Sequence, residues 1–168
     1  CLASIGSDTG GSVRIPAAWN NLVGLKTTHN LIDLTGVLKL CPSFDTLGPI
    51  CRNVSDTNLL FNAMTNGKFQ KLRKYKPCNF KFLIIKNMFF EGIDSDINDS
   101  FNVTIDKIKK SGARVEYKNI SEIDSAFEIS KTVFPAEAYG MWQHEIEKNP
   151  EKMFAPIRER FRSGKKIL

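Results

Sequence analysis

A chain of 168 residues suits one domain and is long enough to bury a core. An apolar share of 42% and a charged share of 25% are ordinary for a soluble globular protein, no run of 18 or more apolar residues offers a membrane span, and the first residues lack the basic-then-apolar pattern of a secretion signal. The net charge of +6 comes from lysines scattered among acids, densest over 68–81, and without interleaved aromatics it reads as solvated surface, so nucleic acid is not expected as a partner.

Residues 1–53 are rich in Gly, Thr, Ser, Asn and Pro and read as loop-heavy backbone of the kind that holds active sites. Within them, 22–25 (Leu-Val-Gly-Leu) predict a short buried strand and 16–21 a single helical turn opened by Pro16. Ser55 is placed as the N-cap of a helix with Leu59, Leu60 and Ala63 on one face, stopped by Asn66-Gly67. A polar linker follows over 67–79. The run 80–85 predicts a fully buried strand, and Ile97, Phe101, Ile105 and Ile108 fall at helical spacing before a capping Gly112. Residues 114–117 alternate as a second strand, so 80–117 predict a βαβ unit with parallel strands and a right-handed crossover. From Ser121 the pattern is helical. Pro135 is expected to separate two helices, the second over 136–148, and a third over 153–162 is expected to face Met153, Phe154, Ile157 and Phe161 inward. The four cysteines, Cys1, Cys41, Cys51 and Cys78, form no Cys-x-x-Cys, and His29 and His144 lie far from all but Cys41. No metal site is expected, and the thiols read as those of a reduced, cytoplasmic protein.

The chemistry concentrates in Gly6-Ser7-Asp8-Thr9-Gly10-Gly11-Ser12-Val13-Arg14-Ile15-Pro16. Two adjacent glycines permit backbone angles closed to other residues and let a ligand approach the main chain. Successive N–H groups there can converge on one oxygen, as an oxyanion hole does. The serine after the turn can present its hydroxyl to the same carbonyl, but it needs a base to take its proton. A phosphate loop would require Gly-Lys-Ser/Thr, and the glycines here are followed by Ser-Val-Arg. A merely connecting Gly-rich turn stays open at this level.

The segment 6–18, ending Ile15-Pro16-Ala17-Ala18, resembles the C-terminal half of the amidase signature. Val23-Gly24-Leu25-Lys26 and Ser43-Phe44-Asp45-Thr46-Leu47-Gly48-Pro49-Ile50 are similar to the segments that come after it in that family, and 134–161 resembles the helical part of general bacterial amidases. The resemblance implies an α/β fold: a mixed β-sheet flanked by helices on both faces, present here as one partial domain truncated at both ends, with 1–66 as the nucleophile-loop half and 77–168 as the βαβ unit and following helices. It implies hydrolysis of a small-molecule amide through an acyl-enzyme, by a Ser–cis-Ser–Lys triad and without a cofactor. Ser12 is then the nucleophile. By the same resemblance the N–H groups of Thr9, Gly10, Gly11 and Ser12 are expected to form the oxyanion hole. Asp8 and Arg14 brace the loop as a non-catalytic ion pair, and Ser7 hydrogen-bonds within it.

The family's bridging serine and lysine lie upstream of the nucleophile, and no Gly-Gly-Ser-Ser-like stretch occurs in this chain, so Ser12 is expected to be unactivated in it. Thr27 stands where the family usually has Pro, and His29-Asn30 replaces a usual Gly-Arg. Other implied readings are the amidase subunit of a tRNA-dependent amidotransferase (which tends to have Gln at the position of Thr46), an allophanate-hydrolase-like enzyme, and a non-catalytic remnant. An incomplete sheet with open edges leads to an expectation of self-association or a homo-oligomer.

Overall fold

The computed structural model describes residues 1–68, 72–87 and 90–167. The chain divides into two units, one formed by 1–72 with 132–168 and the other by 73–131. The α/β expectation holds.

The first unit contains a three-stranded antiparallel sheet in the order β1-β3-β2, with β1 at Ala3–Asp8, β2 at Val23–Gly24 and β3 at Thr46–Cys51. Its register pairs Gly6 with Gly48 and Asp8 with Thr46. The short buried strand expected at 22–25 is β2, confined to Val23–Gly24 and half-buried, with Leu22 exposed, while β1 and β3 occupy backbone expected to be loop. Pro49 sits in the central strand opposite Ile5 and still accepts from Leu25 N–H at 3.1 Å. Gly48 is required there: a Cβ would lie 1.9 Å from the Leu25 carbonyl oxygen.

Helix α1 spans Arg14–Trp19, starting two residues before Pro16 rather than at it. Helix α2 spans Val54–Met64, and its N-cap is Asn53, not Ser55. Asn53 Oδ1 accepts from Asp56 N–H at 2.8 Å, leaving Ser55 in the first turn. Asn66 and Gly67 end α2 with positive φ, as expected. The face expected to pack is partly wet, because Leu59 and Ala63 are exposed.

The expectation of two helices divided at Pro135 is corrected. Helix α4 runs unbroken over Ser121–Lys148. An internal proline removes one helical hydrogen bond and crowds the preceding turn, at about 3 kcal/mol. Burial of Pro135, Ala136, Ala138, Tyr139 and Ile146 offsets that cost. Gly164 approaches so closely that a Cβ there would fall 1.9 Å from the Pro135 carbonyl oxygen. Helix α5 spans Ala155–Arg162. Phe161 packs with Ala138, Tyr139 and Ile146, and its ring meets Phe134 edge-on at 6.0 Å. Phe154, expected inside, is the helix's N-cap residue and is 74% exposed, and Ile157 is also exposed.

In the second unit β4 (Lys81–Ile85) pairs in parallel with β5 (Arg114–Lys118), and α3 (Ser95–Lys110) connects them. Asp94 caps α3, and Gly112 turns at φ 89° after it. The strand and helix positions match the βαβ expectation, but the burial does not. Leu83 is 45% exposed, and of α3 only Ile105 is buried, with Ile97 and Phe101 exposed. The polar linker expected at 67–79 includes 69–71, which lie outside the described residues; Pro77–Asn79 form a 3-10 turn.

Candidate active site

β1 delivers the chain into the glycine-rich turn, and the carboxylate of its last residue organises that turn. Asp8 is wholly buried. Its Oδ1 accepts from Gly11 N–H at 2.8 Å and from Arg14 Nη2 at 3.1 Å. Its Oδ2 accepts from Val13 N–H at 3.3 Å, Arg14 N–H at 3.4 Å and Arg14 Nε at 3.0 Å. The first N–H groups of a helix have no partner within it. Asp8 meets two of them from outside and so sets where α1 begins, ahead of Pro16. Burial by itself raises the Asp8 pKa, but the Arg14 side chain and the Gly11 and Val13 N–H groups outweigh it and hold the carboxyl at about 2. Hydrogen bonding to Asp8 raises the pKa of Arg14 in turn.

Of the two glycines only Gly11 uses a positive φ, at 127°, and a Cβ there would meet Ile15 Cδ1 at 2.7 Å. Gly10 has open space around it. Ser12 is exposed between two buried neighbours, Gly11 and Val13. The N–H groups of Thr9, Gly10 and Ser12 have no partner among the described residues, whereas that of Gly11 is already donated to Asp8. Ser7 is exposed on β1 opposite Leu47, and its hydroxyl makes no hydrogen bond among the described residues. The structure thus brings together Asp8, Thr9, Gly10, Gly11, Ser12 and Arg14 and leaves Ser7 apart.

Reasoning from the sequence missed a second layer beneath the turn. Lys26 Nζ donates to the Asp8 carbonyl at 2.9 Å, the Phe44 carbonyl at 3.1 Å and Thr46 Oγ1 at 3.0 Å, with the Asp8 carboxylate at 3.8 Å. Its three N–H groups match three acceptors, none of them Ser12. Thr46, buried, donates to the same Asp8 carbonyl at 3.0 Å. Thr9 Oγ1 donates to Asp45 Oδ1 at 2.5 Å, while Asp45 Oδ2 accepts from the N–H groups of Leu40 and Cys41. Glu137 on α4 accepts from Ser43 N–H at 2.9 Å, the Ser43 hydroxyl and Cys41 Sγ at 3.1 Å. Burial and the nearby Glu137 push the Cys41 thiol up to about 12. The signal for this layer was the polar composition of 26 and 43–46 beside short strands.

The departures at the loop exit are accommodated. Thr27 is buried and its hydroxyl donates to the Leu47 carbonyl at 2.7 Å. Asn30 adopts φ 61°, a region Asn visits more readily than most residues.

No group of three or more His, Cys, Asp or Glu is arranged to hold a metal ion among the described residues, and no described helix is long and apolar enough to cross a membrane.

Known proteins are similar to this chain in sequence and in fold. A glutamyl-tRNA(Gln) amidotransferase subunit of Gloeothece citriformis is 31% identical over 151 residues, covering 82% of this chain and 31% of its own length. A crystal structure of an amidase superposes with a TM-score of 0.88 and 26% identity over 97% of this chain and 37% of that one. The corresponding glutamyl-tRNA(Gln) amidotransferase subunit of Thermotoga maritima gives a TM-score of 0.72 at 25% identity, over 98% of this chain and 38% of that one. The chain therefore spans about a third of the length of the relatives it matches. The family model described as amidase matches residues 1–165, and the chain belongs to the amidase family.

Proposed function

We propose that this chain is a partial amidase domain carrying the nucleophile of a longer polypeptide, which hydrolyses a carboxylic amide through an acyl-enzyme on Ser12. Ser12 Oγ attacks the carbonyl carbon and its proton passes to a base. The oxygen becomes an oxyanion held by the N–H groups of Thr9, Gly10 and Ser12. Collapse breaks the C–N bond, the amine leaves with the proton, and water then hydrolyses the ester. Gly11, first counted among the oxyanion donors, acts here chiefly through its N–H bond to Asp8. Asp8 and Arg14 brace the turn and touch no substrate. The observation that carries this reading is the Asp8 carboxylate gathering Gly11, Val13 and Arg14, which leaves Ser12 exposed and three neighbouring N–H groups unspent.

The base lies outside this chain in this proposal, because Lys26, the lysine beside the loop, is committed to other acceptors. β1 is an edge strand of its sheet and Leu2 and Ile5 are exposed, which supports self-association of the chain on its own. The test is an amide-hydrolysis screen on the longer polypeptide with Ser12→Ala as control, together with fluorophosphonate labelling of the 168-residue chain. Turnover that disappears in Ser12→Ala, with no labelling of the chain alone, is expected. Turnover that survives Ser12→Ala refutes the nucleophile assignment, and Ser12-dependent labelling of the chain alone refutes the external base.

A second reading, the amidase subunit of a tRNA-dependent amidotransferase, is favoured by sequence relatives that bear that enzyme's name at about 31% identity. Thr46 is a poor discriminator between the two, since its side chain is buried behind the loop. Glutamine hydrolysis that rises with a partner subunit and a glutamylated tRNA supports this second reading over the first.

A further inference from the structure

We propose that Lys26 and Thr46 are positioning residues that orient and polarise the oxyanion donor at Thr9, an inference that rests on Ser12 being the nucleophile. A trans peptide unit points its carbonyl and its N–H in opposite directions, and no cis bond occurs among the described residues. The Asp8 carbonyl and the Thr9 N–H belong to one such unit. Whatever fixes the carbonyl fixes the N–H.

Two donors fix it. Lys26 Nζ lies 2.9 Å and Thr46 Oγ1 3.0 Å from the Asp8 carbonyl oxygen, and the two are joined to each other at 3.0 Å. The Thr9 N–H consequently faces away from this pair. One donor is an ammonium, and hydrogen bonds from charged donors are shorter and roughly twice as strong as neutral ones. Electron density drawn toward the carbonyl oxygen leaves the N–H at the other end of the peptide a stronger donor, as in any hydrogen-bonded chain. Thr9 is held by its side chain as well, through its hydroxyl bond to Asp45 at 2.5 Å.

The clamp is built from segments distant in the chain. Thr46 opens β3, directly opposite Asp8 in the sheet register, and Lys26 comes after β2 on the other side of β3. Lys26 also holds the Phe44 carbonyl at 3.1 Å, so the approach to β3 and the exit from β1 share one cation. Thr46 is buried, so its effect on a reacting carbonyl passes through the peptide and not by contact.

The test uses the longer polypeptide acting on an amide it turns over, with Thr46→Val, Thr46→Ser, Lys26→Met and Ser12→Ala compared by kcat, KM and affinity for a boronic acid that mimics the tetrahedral adduct. Removing one oxyanion donor outright costs about 10²–10³ in kcat, and a misaimed donor costs part of that. Thr46→Val is expected to lower kcat about tenfold and Lys26→Met more. KM should change less than about twofold, boronic-acid affinity should fall in step with kcat, and Thr46→Ser should restore both. If Ser12→Ala is dead while Thr46→Val and Lys26→Met keep wild-type kcat and boronic-acid affinity, or raise only KM, the inference fails and the nucleophile stands. If Ser12→Ala is active, both fail. A readout that needs no turnover is the Thr9 amide nitrogen resonance of the longer polypeptide labelled with ¹⁵N-threonine. It should move upfield in Thr46→Val and Lys26→Met, and an unmoved resonance in both overturns the inference.

Discussion

Replacing Asp8 by Asn should cost this protein stability in a way that depends on pH. The carboxyl is held at about 2 against an ordinary 3.8. That gap of about 1.8, at about 1.36 kcal/mol for each tenfold change in binding, amounts to about 2.4 kcal/mol. The Arg14 side chain is 50% exposed, so solvent screening reduces the ionic contribution to about 1–2 kcal/mol. Because the pKa is depressed in the folded state, the contribution is fully present above pH 3.8 and is lost as pH falls from there through about 2. Asn retains an acceptor for Gly11 but turns an amide N–H₂ toward donors on Val13 and Arg14, which adds an unsatisfied buried group. The expected loss is about 2–3 kcal/mol at pH 7, narrowing by about 1–2 kcal/mol between pH 5 and pH 2. Urea denaturation followed by tryptophan emission measures it. Both tryptophans, Trp19 and Trp142, lie in the unit that contains Asp8, so the signal is not averaged over 73–131. A loss below about 0.5 kcal/mol at pH 7, or wild-type and variant curves that stay parallel from pH 5 to pH 2, refutes the account of Asp8 as the ionised organiser of the turn.

The two glycines of the turn should behave differently in the same denaturation assay. Gly11→Ala, at φ 127° and facing Ile15 at 2.7 Å, should lose about 1–3 kcal/mol, and Gly10→Ala less than about 0.5 kcal/mol. Equal losses would contradict the backbone assignment. Cys1 and Cys78 are exposed and should react with iodoacetamide at pH 8, whereas Cys41, buried and pushed up to about 12, should react only after unfolding, as mass mapping of the alkylated peptides would show. Early alkylation of Cys41 would contradict its burial.

Motif and periodicity located much of this protein. The glycine-rich turn, the strand at 22–25, the Asn66-Gly67 stop, the parallel pair around α3 and the Gly112 cap all lie where local patterns placed them. These features depend on residues close in sequence: backbone freedom at glycine, helical spacing, and short apolar runs. β1 and β3 escaped notice because Ser, Gly and Pro disfavour strands on their own. Pairing of Gly6 with Gly48, and the close approach of Leu25 to Gly48, supplied what propensity did not. Pro135 misled for the same reason in reverse, since its local penalty was outweighed by burial along α4 and by the fit of Gly164 against it.

The candidate site divides along the same line. Ser12, its glycines and the Asp8–Arg14 pair were legible within seven consecutive residues, 8–14. Lys26, Thr46, Glu137 and the bond from Thr9 to Asp45 were not, because the groups joined lie 18 to 96 positions apart. A residue's own chemistry says what it is able to donate or accept, and short-range geometry says how the turn around it must bend. Only the closure of the antiparallel sheet decides which carbonyl a lysine meets, since that requires distant segments to be brought to hydrogen-bonding distance by packing that no local window contains.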